Sequence, residues 1–264
     1  MQPSQTMHAI IEQAYQTFSR YPVPQQFDVC LGCCVSIADE RAMRQTPLRH
    51  WPWRLMHEYV GNAPAGAHHK SEIAYLLPRL LEVVAQGEYP GISQEICLRC
   101  IDKAAPQTWS QAEQQLLADY ARQFVIDLLA QAEADAKLAL LDDTLIMFYL
   151  AGLDVVPLLD AALAQRGFWQ IASLAFFLYM DRSNGEVDNA FVSHAKGRAL
   201  HQRINSWIEQ HSRDLSASAA EAIAHPPGSL AEKYEQYYCQ MNLGYWIEES
   251  LCALHDQQLL WTVK

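Results

Sequence analysis

The sequence predicts an all-α protein of packed antiparallel helices, and three observations support that class. Over most of the chain, apolar residues recur every three to four positions, which is the spacing of one helix face. Leu, Ala, Gln and Glu, which favour helix, are abundant, whereas Gly and Pro are few. No stretch of useful length alternates apolar and polar residues as a half-buried strand does. An irregular, solenoid-like array of helical hairpins fits the same pattern.

The first helix is predicted at about 8–20 and ends before Pro22, because proline disfavours helical geometry in the residue that precedes it. Ser36, followed by Asp39 within one turn, is typical of a second helix N-terminus. Three more helices are predicted before residue 104, one at 53–59, one from Ser71 and one from Ser93.

The longest predicted helix covers about 110–140, and Ser110 with Glu113 forms a capping box at its start. Two short apolar helices follow, and a tight turn at Gly152 joins them into a helical hairpin. They are predicted at 144–151 and 156–165.

The second half of the chain is also predicted to be helical. Its most apolar stretch, 168–180, is shorter than the roughly 20 residues that span a bilayer, and it predicts a buried helix. Further helices are predicted at 190–210 and from Ser229. We predict a helical domain at 1–166 with a cysteine-rich N-terminal loop, and a helical extension at 167–264 packed on it, or one continuous domain.

The net charge of −11 argues against general nucleic-acid binding, because phosphate contacts need clustered Lys and Arg. The same charge is unsuited to anionic membrane surfaces. A basic protein is the partner that it would attract. The N-terminal sequence MQPSQTMHAIIEQAY lacks the basic region and long apolar core of an export signal, so we expect a cytoplasmic protein.

Three of the seven cysteines lie in the string FDVCLGCC at 27–34, where Cys30 and Cys33 have the Cys-x-x-Cys spacing of zinc ligands. Cys97 and Cys100 repeat that spacing on a predicted helix, which puts both thiols on one face. Together these four predict a structural zinc site. Two other interpretations stay open: reduced thiols buried in the core, or a reactive thiol that senses redox state.

Negative charge is concentrated in residues 108–165, where nine acids and two bases give a local charge of −7. Such a field steers a basic partner and speeds its capture. The solvated faces of ordinary helices are the alternative interpretation. The carboxylates predicted to contact a partner are Asp135, Asp142, Asp143, Asp154 and Asp160.

Catalytic motifs are nearly absent from the sequence. There is no G-x-S-x-G, no P-loop and no G-x-G-x-x-G. Ser193 and Lys196 match S-x-x-K, but the S-D-N and K-T-G partners of that motif are missing. We therefore predict that the protein is not an enzyme and has no catalytic residues.

The first three-fifths of the chain contains the strings FDVCLGCCVS, TPLRHW, EIAYLLPRLLEVVAQGE and FYLAGLDVVPLLDAAL. In these strings residues 1–165 resemble a loosely defined group of small helical bacterial proteins encoded near Rhs and type VI secretion toxins. The resemblance implies an immunity protein that neutralises a cognate toxin by occluding its active site or substrate groove. It includes Cys30, Cys33 and Cys34 in a recurring string but implies no metal or catalytic residue. The alternative function is a cysteine-based zinc-binding or redox-responsive regulator.

Overall fold

The computed structural model describes residues 2–32, 34–61, 69–104, 108–180, 186–187, 189–227 and 243–256. Within these ranges the protein consists of packed helices and contains no β-strand, which confirms the all-α class. Two short 3₁₀ helices lie at Leu48–His50 and Gln94–Ile96. The α-helices are α1 (Gln5–Phe18), α2 (Ile37–Gln45), α3 (Trp53–Gly61), α4 (Lys70–Ala85), α5 (Cys100–Lys103), α6 (Gln111–Asp135), α7 (Leu141–Leu150), α8 (Val156–Leu163), α9 (Phe168–Met180), α10 (His194–Ala224) and α11 (Leu243–His255).

Side-chain caps set the starts of several helices. The Ser36 hydroxyl accepts the N–H of Asp39 at 3.0 Å, as predicted for the start of α2. The capping box of α6 is confirmed, because the Ser110 N–H donates to Glu113 Oε2 at 2.7 Å and the Glu113 N–H donates to Ser110 Oγ at 3.4 Å. Helix α1 begins earlier than predicted, because the Ser4 hydroxyl accepts the N–H of Met7.

Helix α6 ends at Asp135, before the predicted end at about residue 140. Ala136 has a φ of 51°, and the Lys137 N–H donates to the Ala132 carbonyl at 3.0 Å. These are the features of a Schellman motif, in which the left-handed residue just after the helix is usually a glycine. The sequence has alanine at this position, so the end of α6 could not be predicted from a glycine. The helix predicted from Ser229 begins outside the described residues.

The chain divides into two compact units, one of residues 1–127 and 143–155, the other of residues 128–142 and 156–264. The second unit thus begins before the sequence-based boundary at 166 and also includes the end of α6. Two hydrogen bonds account for that inclusion. Glu133 accepts the N–H of Trp169 at 2.9 Å, and the Ala139 N–H donates to the Ser173 hydroxyl at 2.9 Å.

The first unit is built around α4, which packs against α1 and is buried along most of its length. Tyr120 of α6 donates its hydroxyl hydrogen to the Leu81 carbonyl at 2.8 Å. The Phe124 and Phe148 rings meet edge to face with centroids 5.5 Å apart. The core of this unit therefore contains side chains from both of its segments, residues 1–127 and residues 143–155.

The second unit is a group of helices around α9, which packs against α8, α10 and α11. Most of α9 is buried, which confirms the prediction of a buried apolar helix at 168–180. Of the described helices, none combines the length and the apolar character that a membrane crossing requires.

Candidate functional site

The N-terminal cysteine loop is anchored by Phe27, which is 1% exposed. Its ring packs edge to face against Trp51 and Tyr59, with centroids 5.4 and 5.8 Å away. Beyond this anchor the Cys30 carbonyl accepts the N–H groups of Cys34 and Val35, which closes a tight loop. Cys33 lies outside the described residues.

A buried carboxylate holds the same loop on the first unit. Glu72 accepts the Asp28 N–H on both oxygens at 3.2 Å and the Tyr59 hydroxyl at 2.6 Å. Burial raises the pKa of Glu72, although these hydrogen bonds act in the opposite direction. The position of the loop therefore depends on contacts with α3 and α4, which lie far from it in sequence.

The second cysteine pair faces the core of the first unit. The Cys97 thiol is 0% exposed and donates to the Met147 sulfur, with the two sulfurs 3.4 Å apart. Gln94 donates to the Thr144 hydroxyl at 2.9 Å, so this segment runs alongside α7 in the same direction. Burial raises the pKa of Cys97 well above its ordinary value, and burial raises that of Cys100 to about 12. At neutral pH both thiols are protonated.

No group of three or more His, Cys, Asp or Glu side chains suited to a metal ion occurs among the described residues. Cys30 is half-buried in the N-terminal loop, and Cys97 and Cys100 are buried. Because Cys33 lies outside the described residues, the zinc site of Cys30, Cys33, Cys97 and Cys100 stays a prediction. The packing of Cys97 against Met147 accords with the interpretation of buried core thiols.

We expect Cys97 and Cys100 to resist alkylation by N-ethylmaleimide in the native protein, because the reagent needs an accessible thiolate. The exposed Cys252 provides the internal control and should react much faster than the buried pair, although burial and nearby acids raise the pKa of its thiol as well. Peptide mass spectrometry after timed labelling measures both rates, with and without a zinc chelator. Protection that persists with chelator indicates core burial, whereas protection that chelator removes indicates zinc ligation.

The acidic stretch contains carboxylates with internal roles. Glu113 is fully buried and accepts hydrogen bonds from Arg20 at 2.6 Å, from the Tyr21 hydroxyl at 2.7 Å and from the Ser110 N–H. Burial alone would raise its pKa, but the hydrogen bonds from Tyr21, Ser110 and Arg20 outweigh it and lower the pKa to about 2. Glu113 thus joins the end of α1 to the start of α6.

Asp127 and Glu133 also accept hydrogen bonds from other residues of the fold. Asp127 is buried and accepts the Ser4 N–H at 2.9 Å and the Gln123 amide at 2.7 Å. Glu133 accepts the N–H of Trp169 near the start of α9. The acidic residues that are close together in the sequence of 108–165 therefore do not all lie on the protein surface.

The five carboxylates predicted to contact a partner are divided between the two units. Asp135, Asp142 and Asp160 belong to the second unit, and Asp143 and Asp154 belong to the first. Asp135 and Asp160 are exposed but have partners in their own unit. Lys137 lies 2.8 Å from Asp135, and the Trp207 indole N–H donates to Asp160 at 2.7 Å.

The other three carboxylates, Asp142, Asp143 and Asp154, differ in burial and in their position relative to α7. Asp142 and Asp143 are half-buried in the first turn of α7, where the helix dipole favours a carboxylate. Asp154 is exposed just after Gly152, whose φ of 81° confirms the predicted turn. A Cβ at Gly152 would lie 2.9 Å from Asp102 Oδ1, so the turn is closely packed.

Sequence reasoning missed one further surface feature of the first unit. Trp53 and Ile92 are 41% and 76% exposed, although both are large apolar residues. Pro52 immediately precedes α3, which begins at Trp53, but nothing in the sequence indicated that these two side chains stay exposed. Comparison with family models, with curated proteins and with solved structures finds no significant match to this chain.

Proposed function

We propose that the protein is a cytoplasmic immunity protein that neutralises a cognate bacterial toxin by occlusion. Its preformed helical surface covers a basic active site or substrate groove, and the chain performs no reaction itself. The toxin is of the Rhs or type VI secretion kind, as the resemblance of residues 1–165 implies. Nucleic acid and membranes are not its partners.

The observation that carries this proposal is the negative charge that stays exposed in residues 108–165. Glu113 and Asp127 are buried, and Glu133, Asp142 and Asp143 are half-buried. The exposed acids are Asp119, Asp135, Asp154 and Asp160, and these four still outnumber the two bases, Arg122 and Lys137. Within residues 108–165 each of the two units keeps more acids than bases outside its core, and such a surplus attracts a basic partner over about a Debye length. We assign partner contact to Asp135, Asp142, Asp143, Asp154 and Asp160.

The charge hypothesis is best tested at Asp119 and Asp154, which are exposed and belong to the first unit. Reversal of Asp142 or Asp143 would also weaken the start of α7, so these two are less informative. We expect Asp119→Lys/Asp154→Lys to slow association with the catalytically inactive toxin domain of the adjacent gene about tenfold at low ionic strength. Stopped-flow kinetics across a salt series measures the rate.

The matched control is Glu209→Lys/Asp214→Lys, which makes the same charge change at exposed positions of α10. Its effect should be much smaller, and high salt should abolish the difference between the two variants. Equal slowing by both variants would contradict a role for the acidic stretch. Absence of any binding by the wild-type chain would overturn the proposed function as a whole.

A further inference from the structure

Two cysteines of the N-terminal loop belong to one closed turn of the backbone. The Cys30 carbonyl accepts the N–H of Cys34 at 3.2 Å and the N–H of Val35 at 3.1 Å. The Gly32 N–H donates to the Val35 carbonyl at 3.0 Å, and the φ of 85° at Gly32 allows the chain to reverse within so few residues. We call residues 30–35 the thiol turn.

Buried side chains hold the thiol turn on both sides. Val29, which precedes the turn, is 5% exposed, and Val35, which ends it, is 1% exposed. The Ser36 cap of α2 follows directly, and its hydroxyl accepts the N–H of Asp39. The fold therefore fixes the separation of Cys30 and Cys34, and a reaction between them does not first have to order the loop.

The hydrogen bond across the turn sets the distance between the two cysteine backbones. A bond from the N–H of residue i+4 to the carbonyl of residue i holds the two Cα atoms about 6 Å apart, as in one turn of a helix. Disulfides join Cα atoms that are roughly 4.4–6.8 Å apart. Cys30 and Cys34 therefore lie within bridging distance, and their joining requires no movement of another element.

The two cysteines differ in exposure. Cys34 is exposed, whereas Cys30 is half-buried beside it. An accessible thiol next to a second thiol that resolves its oxidised form is the usual arrangement of a redox-responsive cysteine pair. Cys97 and Cys100 are buried in the core, so an oxidant in solution reaches Cys34 before it reaches them.

We propose that Cys34 and Cys30 are a reversible redox pair, which a hydroperoxide oxidises to a disulfide within the thiol turn. The Cys34 sulfur takes one oxygen from the hydroperoxide as the O–O bond breaks, which gives a sulfenic acid and releases the alcohol, or water from hydrogen peroxide. The Cys30 sulfur then displaces the hydroxyl group of that sulfenic acid. The S–S bond forms, the S–O bond breaks, and the Cys30 thiol proton leaves with the hydroxyl group as water. Two electrons pass from the sulfurs to the peroxide, and a dithiol reductant returns them.

Treatment of the full chain with hydrogen peroxide tests the pair, in the presence of a metal chelator so that no metal ion protects the thiols. Maleimide labelling of the denatured protein then counts the remaining thiols by mass spectrometry. Trypsin releases residues 21–41 as one peptide, which contains Cys30, Cys33 and Cys34. We expect this peptide to retain only the Cys33 thiol after oxidation and to regain all three thiols after dithiothreitol.

Serine variants assign the bond to its two sulfurs. Cys33→Ser should form the disulfide as the wild type does, whereas Cys34→Ser should keep both of its remaining thiols over the same exposure. In Cys30→Ser/Cys33→Ser the sulfenic acid of Cys34 has no neighbouring thiol in the turn, so it should accumulate and be trapped by dimedone. Cys252→Ser removes an exposed thiol of the second unit and is the matched control, which should leave the disulfide unchanged.

Three outcomes would overturn the redox pair. The first is a wild-type peptide that keeps all three thiols under conditions that oxidise Cys252. The second is a disulfide that is lost in Cys33→Ser or forms equally fast in Cys34→Ser. The third is a bond between two chains, which the intact mass under non-reducing conditions would reveal. Toxin binding plays no part in these measurements, so their result leaves the immunity proposal as it stands.

Discussion

Replacing Glu113 with alanine is expected to lower the free energy of unfolding by about 3 kcal/mol at pH 7, because a buried hydrogen-bonded acceptor is lost. Arg20, Tyr21 and the Ser110 N–H would each lose their acceptor. Urea unfolding followed by circular dichroism measures the difference. Asp119→Ala on the same helix is the matched control, and it should change stability by less than about 0.5 kcal/mol because Asp119 is exposed.

The stabilisation by Glu113 depends on pH in a defined direction. Its pKa is about 2 in the folded protein, below the ordinary glutamate value of 4.5, so the folded state favours the carboxylate. The contribution is fully present above the unfolded pKa and is lost as pH falls from about 5 to about 2. The difference between wild type and Glu113→Gln should shrink over that range. A difference that stays constant down to the lowest pH would contradict an ionic role.

Truncating Phe27 to alanine is expected to cost about 3–5 kcal/mol, because it empties a buried aromatic site. The Phe27 ring packs against Trp51, Tyr59 and Tyr75 at centroid distances of 5.4, 5.8 and 6.3 Å. The near-ultraviolet circular dichroism of Trp51 should change in the Phe27→Ala variant. Thermal unfolding measures the loss of stability.

Two comparisons make the Phe27 result interpretable. Phe27→Leu keeps most of the buried volume and should cost much less, whereas Val23→Ala alters a 43% exposed residue of the same N-terminal region and should be nearly neutral. If the loop alone undocks, the Cys30 thiol should label faster while the global midpoint stays high. Wild-type stability of Phe27→Ala would show that the aromatic contacts contribute little.

The helix class and the local signals were predictable from sequence. Ser36, the Ser110–Glu113 box and the turn at Gly152 act where predicted, because caps and tight turns involve residues within one helical turn. The end of α6 was not predictable, because Ala136 takes the left-handed conformation that usually indicates glycine.

The candidate site was predictable only as a list of residue types. Nothing near Glu113 in sequence indicates Arg20 or Tyr21, which lie 93 and 92 positions away. The pairing of Asp160 with Trp207, 47 positions on, was equally hidden. Local charge counts therefore overestimated how much of the acidic stretch faces solvent.

By itself the sequence determined that the chain forms helices, where most of them begin, and that its net charge is strongly negative. Only the tertiary structure decided which carboxylates are internal, that Cys97 packs against Met147, and that Trp53 stays exposed on the surface. The reason is the range of the interactions. Periodicity and capping act within a few residues, whereas burial depends on elements that meet across the whole chain.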